Sequence, residues 1–165
     1  MKNTNLIQAD VTKSIKMKKA ALAVSTADAV NHLSSIEDIK LFFNNVYQGL
    51  KKDGIFIFDM NTQLGAKVNC SHITTSTKHY IAIREGFFDE INNIGYTRFQ
   101  GAYQKRGTNY YVRYDSTIYN YIYPISKIVD LLKKVGFKAI NLHNEYTSEK
   151  YDEEWTERVL FICNK

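Results

Sequence analysis

The sequence of 165 residues predicts an α/β fold in which a partly parallel sheet carries an inserted antiparallel sheet. The parallel part is predicted by an amphipathic helix that runs directly into an unbroken apolar strand, with a shorter apolar segment before both. The antiparallel part is predicted by long runs of aromatic and β-branched residues towards the middle of the chain. We therefore expect one domain over residues 1–165, with residues 78–123 forming the antiparallel insertion.

Two short strands are predicted in the amino-terminal part of the chain. Residues 5–9 are compatible with a strand that ends at Asp10. Residues 20–24, AALAV, are small and apolar, which predicts a second, buried strand. The polar loop of residues 25–34 follows at the carboxyl end of that strand.

The helix and strand of residues 34–61 organise the rest of the prediction. Ser34 and Glu37 fit a capping box at the helix start, and Gly54 is expected to end the helix. Apolar residues recur at steps of three and four and predict one packed face: Ile36, Ile39, Phe43, Val46 and Leu50. Residues 55–58 show no polar alternation, which is typical of a strand covered on both faces. Asp59 follows this strand, at the edge where open α/β sheets bind ligands.

The pattern changes after this strand. Residues 63–77 lack periodicity and predict a loop or a lid with a short helix. Three β-prone runs then predict antiparallel strands, with a turn at Arg106 and Gly107 and one buried face in the last run. Pro124 and Gly136 are expected to start and end a helix. The two last strands, residues 137–142 and 158–163, are expected to form a hairpin.

Composition excludes several classes of function. The net charge of +5 is spread along the chain without a basic and aromatic cluster, so we expect no nucleic-acid partner. Cys70 and Cys163 belong to no set with metal-ligand spacing, and we expect two free thiols and no metal. The sequence has neither an apolar run long enough to span a membrane nor an export signal. The expectation is a soluble, cytoplasmic protein.

The order of these pieces resembles the class I S-adenosylmethionine-dependent methyltransferases, in particular bacterial small-molecule members with an inserted antiparallel sheet. The resemblance is carried by IQAD, STADAVNHL, LKKDGIFIFDMNT and LLKKVGF in this order. It implies a partial Rossmann-like sheet whose strands correspond to strands 3, 4, 5, 6 and 7 of the family. The family's glycine-rich loop and its ribose-binding acid, which come earlier, have no counterpart in this sequence.

The resemblance also implies a binding site for S-adenosylmethionine. Asp10 would bind the adenine amino group and Val11 would pack on the ring, while Ser25, Thr26 and Asp28 would form the loop over the cofactor. From the residues alone, Asp10 could equally cap a turn, and Asp28 could satisfy backbone amides before the helix.

The acceptor side of the site is implied in the same way. Asn31, Asn61 and Tyr119 would contact the substrate, and His32 would serve as a base because its ordinary pKa lies near neutrality. A packed, hydrogen-bonded histidine is the alternative for His32. Asp59 is the best candidate for a functional acid, since a carboxylate at the end of a buried strand is costly unless it is paired.

Two functions follow as hypotheses. The first is methyl transfer to a small-molecule acceptor by a protein that is incomplete or inactive as this chain alone. The second is a non-catalytic remnant that acts as a binding or oligomerisation module. In either case an unpaired sheet edge predicts a homodimer through that edge, or pairing of residues 5–9 with residues 20–24. The site prediction depends on Asp10, Asp28 and Asp59 converging.

Overall fold

A computed structural model of the chain describes residues 4–13 and 18–165. The strands are β1 (Ala20–Ser25), β2 (Leu50–Asn61), β3 (His72–Ser76), β4 (Tyr80–Asp89), β5 (Ile94–Gln104), β6 (Tyr111–Tyr121), β7 (Ile140–Asn144) and β8 (Arg158–Asn164). The helices are α1 (Ile36–Gly49), α2 (Gln63–Val68) and α3 (Ile125–Val135), with a short 3-10 helix at Ala29–His32. The predicted α/β fold is confirmed.

The core sheet has the strand order β1-β2-β8-β7. β1 pairs with β2 in parallel, as predicted, and β8 lies antiparallel between β2 and β7. The last two strands therefore form the predicted hairpin. Pro124 precedes α3 and Gly136 ends it with a φ of 121°, which confirms both helix signals.

One face of the core sheet is buried beneath α1 and α3. Phe56 and Phe58 of β2 and Phe161 of β8 are at most 1% exposed. The rings of Phe58 and Phe161 stack across the two strands with centroids 4.4 Å apart, and Phe43 of α1 lies 5.2 Å from Phe58. The apolar stripe read from the sequence thus packs on this face, which supplies most of the core.

The other face of the core sheet, which we call the open face, carries apolar side chains that remain accessible. Leu22 is 51% exposed, Val24 56% and Ile55 37%, and Ile57, Leu160 and Ile162 beside them are partly exposed. The prediction that the strand of residues 20–24 is buried was therefore wrong. The prediction that the strand of residues 55–58 is covered on both faces was also wrong. Both helices that pack on the sheet lie on the same side of it in the described part of the chain.

The ends of α1 also differ from the prediction. Ser35, not Ser34, caps the helix: its Oγ accepts a hydrogen bond from the Asp38 amide at 3.0 Å and donates one to the Asp38 carboxylate at 2.9 Å. The helix ends at Gly49, because Leu50 already has extended backbone angles that lead into β2. Asp53, rather than Gly54, takes the left-handed conformation, with a φ of 59°.

Residues 5–9 form no strand and do not pair with β1, so this prediction was wrong. The turn that follows them is held by α1 instead, because the Asn45 side chain donates hydrogen bonds to the carbonyls of Val11 and Lys13, both at 2.8 Å. Within residues 4–13 and 18–165, β1 consequently pairs on one side only.

The inserted sheet consists of β3, β4, β5 and β6, all antiparallel. The three long strands and the turn at Gly107, with a φ of 75°, are confirmed. β3 was missed, because its segment HITTS lies where we expected a loop. The predicted buried face of β6 consists of Tyr110, Val112, Tyr114 and Ile118. Tyr114 is partly buried, but Tyr110, Val112 and Ile118 are 78%, 38% and 45% exposed, so this face is not buried as predicted.

Helix α2 joins the two sheets through close backbone approaches. A Cβ atom added at Gly65 of α2 would lie 2.2 Å from the carbonyl oxygen of Glu157, which precedes β8. A Cβ atom added at Gly86 of β4 would lie 2.0 Å from the carbonyl oxygen of Asn69, which follows α2. Because only glycine permits such approaches, these two residues fix the distance between the sheets.

Candidate functional site

A fully buried carboxylate lies at the carboxyl end of β2. Asp59 is 0% exposed and accepts hydrogen bonds from the Tyr146 hydroxyl at 2.6 Å, from an Arg158 Nη at 2.6 Å and from the Asp28 amide at 3.2 Å. These partners compensate for the burial of its charge. Asp59 is therefore already committed to interactions within the protein.

Charge and hydrogen bonding within this group shift two pKa values. The hydrogen bond to Asp59 is the main reason why the pKa of Tyr146 is raised above 10.0. Burial lowers the pKa of Arg158, but its hydrogen bond to Asp59 and the charge of Asp28 outweigh this and raise it. Arg158 also contacts an Asp28 oxygen at 3.2 Å, so one guanidinium faces two carboxylates.

An asparagine pair connects the core sheet to the inserted sheet. The buried side chain of Asn31 accepts from the Asn61 amide at 2.9 Å and donates to the Tyr121 carbonyl at 3.0 Å. The Asn61 side chain donates to Asp28 at 2.9 Å and to Asn120 at 3.2 Å. Asn31 thus pins β2 to β6 from within, which differs from the expectation that it faces an open cleft.

A polar cleft of about 210 Å³ opens between these residues and the inserted sheet. Its lining is rich in amides and guanidinium groups and includes one carboxylate and two aromatic residues. The lining residues are Asp28, Asn61, Ala66, Asn69, Arg84, Gly86, Phe87, Gly95, Tyr96, Thr97, Asn120 and Arg158. Since the cleft lies beyond the carboxyl ends of parallel strands, it occupies the place where α/β sheets bind ligands.

A second, apolar cleft of about 200 Å³ lies at the side of β1 that faces α1. Val11, Ser25, Ala29 and Leu33 line it together with Ala23, Val24, Phe42, Val46 and Phe56. Of the residues expected at the cofactor, Val11 and Ser25 are therefore brought together. Drug-sized ligands occupy roughly 300–1,000 Å³, so this cleft would hold a flat ring but not a whole nucleoside with its amino-acid part.

The predicted convergence of three strand ends is met by two of them. Asp28 and Asp59 are joined by a hydrogen bond from the Asp28 amide. Asp10 is exposed, and its carboxylate accepts hydrogen bonds from the Thr12 amide at 2.9 Å and from the Thr12 hydroxyl at 2.7 Å. These hydrogen bonds lower the pKa of Asp10, and they match the alternative that Asp10 caps a turn. Thr26 is exposed and lines neither cleft.

His32 and Tyr119 lie in contact with each other, and neither of them lines the polar cleft. His32 is exposed at the end of the 3-10 helix, and its Nδ1 lies 2.8 Å from the Tyr119 carbonyl oxygen. The Tyr119 ring is 50% exposed and lies 6.1 Å from the ring of Tyr96, which lines the cleft. The roles of His32 as a base and of Tyr119 as a substrate contact remain predictions.

Sequence reasoning missed several residues of this region. Tyr146 and Arg158 lie in and after the charged segment that joins the last two strands, where nothing distinguishes them from solvated residues. Arg84 and Asn120 lie on strands of the inserted sheet and reach the cleft through strand register alone. The one available signal was the buried strand ending in Asp59, which requires a cationic or donor partner.

Two further kinds of feature are absent from the described residues. Residues 4–13 and 18–165 contain no group of three or more His, Cys, Asp or Glu side chains that could hold a metal ion. Among these same residues, no helix has the length and the apolar character needed to cross a membrane.

The similarity of this chain to known proteins is found among solved structures and concerns the fold. No protein-family model matches the chain, and no curated protein matches it. Among solved structures, it is similar to a S-adenosylmethionine-dependent methyltransferase from Clostridium acetobutylicum ATCC 824, with a TM-score of 0.83 and 20% identity over 98% of this chain and 65% of that one. It is also similar to the sugar N-methyltransferase KedS8 from Streptoalloteichus sp ATCC 53650, with a TM-score of 0.77 and 10% identity over 100% and 64% of the two chains.

A third similar structure is the CcbJ methyltransferase from Streptomyces caelestis, with a TM-score of 0.71 and 7% identity over 95% of this chain and 62% of that one. The chain therefore has the fold of the class I S-adenosylmethionine-dependent methyltransferases, as the resemblance implied. It spans less than two thirds of the length of each of these three structures.

Proposed function

We propose that these residues form the acceptor-binding part of a S-adenosylmethionine-dependent methyltransferase that acts on a small molecule. The observation that supports this most is the methyltransferase fold, matched over 98% of the chain, together with a polar cleft beyond the carboxyl end of β2. Some similar structures are sugar and glycopeptide N-methyltransferases by name, which makes an amine on a small polar molecule our first choice of acceptor.

The chain's own residues would divide the work between the two clefts. The apolar cleft, with Val11 and Ser25, would hold the adenine ring, and the polar cleft would orient the acceptor. When bound, S-adenosylmethionine supplies an electrophilic methyl group, so the protein mainly aligns the reactants and accepts a proton where needed. We assign proton acceptance to His32, because the Asp59 carboxylate is buried and already accepts hydrogen bonds from Tyr146 and Arg158.

We also propose that the full binding site includes further polypeptide. This polypeptide would correspond to the part of the similar structures, about one third of their length, that this chain does not match. The glycine-rich loop and the ribose-binding acid that the resemblance implies have no counterpart in this sequence. Each missing hydrogen bond would remove about 0.5–1.5 kcal/mol of binding free energy. We therefore expect this chain to bind S-adenosylmethionine weakly, without turnover.

Isothermal titration calorimetry with S-adenosylmethionine tests the proposal. We expect weak saturable binding that Val11→Asp abolishes, because the substitution places a charge in the apolar cleft. Leu41→Asp is the matched control, since Leu41 of α1 is 48% exposed, close to the 42% of Val11, and lies outside both clefts. The absence of heat at millimolar ligand, or equal loss in both variants, would contradict the proposal.

A second candidate function, a non-catalytic oligomerisation module, is favoured by one observation. β1 pairs on one side only among the described residues, and its segment AALAV carries no charge that would prevent pairing with another chain. The open face beside it exposes Leu22, Val24 and Ile55. We propose a homodimer in which two copies meet through this edge and face.

Sedimentation velocity measures the homodimer directly. We expect a dimer at micromolar concentration that Leu22→Lys converts to monomer, while Leu41→Lys on α1 leaves the dimer intact. A monomer at every accessible concentration would refute this candidate function and would leave the catalytic proposal unaffected.

A further inference from the structure

One guanidinium group in the polar cleft, that of Arg84, forms its hydrogen bonds with uncharged side chains. Arg84 of β4 is partly buried, and its two Nη atoms donate to the Ser71 hydroxyl at 2.8 Å and to the Asn69 side-chain oxygen at 3.4 Å. In residues 4–13 and 18–165, no carboxylate oxygen lies within ion-pair distance of Arg84. Arg84 therefore forms no ion pair with a carboxylate in this part of the chain.

Other strand arginines of the protein are paired with carboxylates. Arg98 makes a two-pronged contact with Asp115, at 2.9 and 2.7 Å, and Arg158 contacts both Asp28 and Asp59. Arg98 lies on β5, the strand next to that of Arg84, but its side chain points to the opposite face of the inserted sheet. The two arginines therefore differ in ion pairing because they lie on different faces. Arg98 faces away from the cleft, whereas Arg84 lines it.

Strand geometry keeps Arg84 separated from the nearest carboxylate in sequence. Side chains alternate along a strand, so Glu85 points to the opposite face. There Glu85 accepts a hydrogen bond from Gln100 at 2.9 Å and lies 3.5 Å from His72. Glu85 consequently cannot neutralise its neighbour.

The position of Arg84 is fixed by the backbone around it. The Gly86 amide donates to the Ser71 carbonyl at 2.9 Å, and the close approach of Gly86 to Asn69 holds β4 against the turn after α2. This same turn supplies both hydrogen-bond acceptors of Arg84. The guanidinium is thereby oriented before any ligand arrives, which lowers the entropic cost of binding one.

The remaining charges of the cleft are already satisfied within the protein. One oxygen of Asp28 contacts Arg158, and the other accepts from Asn61. Asp28, Asp59 and Arg158 together carry one net negative charge, and the two carboxylates also accept hydrogen bonds from Tyr146, Asn61 and the Asp28 amide. Among the described residues that line the cleft, Arg84 is the cation without a carboxylate contact, and the uncharged amides of Asn61 and Asn120 lie along the same lining.

We propose that Arg84 binds an anionic group of the acceptor, a carboxylate or a phosphate ester, while the amides of the cleft bind its uncharged polar groups. Guanidinium groups recognise both anions through paired N–H donors. This inference rests on the proposed function for its acceptor, although anion binding at Arg84 can be measured without it. It narrows the acceptor class to acidic small molecules.

Nitrogen-15 NMR of the full chain tests anion binding with two probes, sodium phosphate and sodium acetate, at constant ionic strength. We expect the side-chain Nε–H signal of Arg84 to shift and saturate with at least one probe, while that of Arg98 stays in place. Saturation with phosphate alone assigns a phosphate ester, and saturation with acetate alone assigns a carboxylate. Saturation with both supports the proposed anion site without choosing between them.

Two matched variants separate binding from structure. Arg84→Gln retains a donor for the Ser71 hydroxyl but removes the charge, and we expect it to abolish the saturable response when binding is measured on the backbone amide of Gly86, which lines the same cleft. Arg98→Gln removes an exposed arginine from the neighbouring strand and should leave the response intact. If Arg84→Gln fails to fold, the Arg84 signal of the wild-type chain still decides: a linear, non-saturating shift with both probes overturns the inference.

Calorimetry with S-adenosylmethionine on the same sample keeps the two proposals apart. Cofactor binding without a saturable anion response would overturn the Arg84 inference alone. A saturable anion response without cofactor binding would support anion binding at Arg84 and would overturn the methyltransferase function.

Discussion

The core sheet and the inserted sheet bury their side chains in different ways. In the core sheet, Phe58 is 0% exposed beneath two helices, whereas Phe87 on the inserted sheet is 46% exposed and stacks on Tyr96 at 5.3 Å. The core sheet is therefore stabilised by apolar burial, and the inserted sheet mainly by its strand ladders and cross-strand pairs. The polar cleft lies between the two sheets. One of its walls belongs to the core sheet, which is well buried, and the other to the inserted sheet, which is half-exposed.

The largest effect expected from this comparison is on stability. Phe58→Ala removes a ring from the core and should lower the free energy of unfolding by about 3–5 kcal/mol. Phe87→Ala should cost about 1 kcal/mol, since it removes chiefly one exposed aromatic pair. Urea unfolding of the two variants provides the measurement. Equal losses would show that the inserted sheet is buried in solution against something else.

A second test compares two carboxylates that face arginines. Asp59→Ala removes the buried partner of Tyr146 and of the Asp28 amide and leaves Arg158 only its contact with Asp28 at 3.2 Å, and it should cost about 3 kcal/mol. Asp115→Ala removes an exposed partner of Arg98 and should cost much less, because water replaces it. Chemical denaturation at neutral pH measures both variants. The comparison fails if Asp115→Ala is the more destabilising of the two.

The two free thiols should differ in reactivity. Cys163 on β8 is 0% exposed, and burial raises its pKa to about 12, whereas Cys70 after α2 is exposed. Because the thiolate is the reactive form, a disulfide reagent at pH 8 should modify Cys70 rapidly and Cys163 only after denaturation. Cys70→Ser should abolish the rapid phase. Rapid modification of both thiols in the native protein would show that the core sheet opens readily.

The smallest expected effect concerns pH. The hydrogen bond from Arg98 is the main cause that lowers the pKa of Asp115 below 3.8. A lowered native pKa means that this carboxylate stabilises the fold above its unfolded pKa and that the contribution is lost as pH falls through the native pKa. Carbon-13 NMR of the Asp115 carboxyl group should show a midpoint below 3.8 that rises in Arg98→Gln. An unchanged midpoint would mean that the pair does not form in solution.

The covered half of the core sheet could be predicted well from sequence. The stripe of Ile39 and Phe43, the run at residues 55–58 and the glycine at the end of α3 are local signals with one physical interpretation each. The open face could not be predicted, because an apolar strand is compatible with burial on one face or on both. The strand expected at residues 5–9 failed for a related reason, since a strand needs a partner that local sequence does not specify.

The residues of the candidate site that lie at the ends of parallel strands were predicted from the sequence. Those that reach the site through the pairing register of distant strands were missed. Asp28, Asp59 and Asn61 follow parallel strands or lie at their ends, and they do come together. Tyr146 and Arg158 reach the same place from a hairpin more than eighty residues later in the chain. Arg84 enters the cleft because an even-numbered position of β4 faces α2. These long-range placements carry no local sequence signal.

Helix α2 acts as a spacer of fixed thickness between the two sheets. Glycine contacts at both of its surfaces, Gly65 against Glu157 and Gly86 against Asn69, leave no room for even a methyl group. Any larger residue at either glycine would act as a wedge that tilts one sheet away from the other. A substitution at Gly65, which lines neither cleft, would thereby change which molecules fit between the sheets.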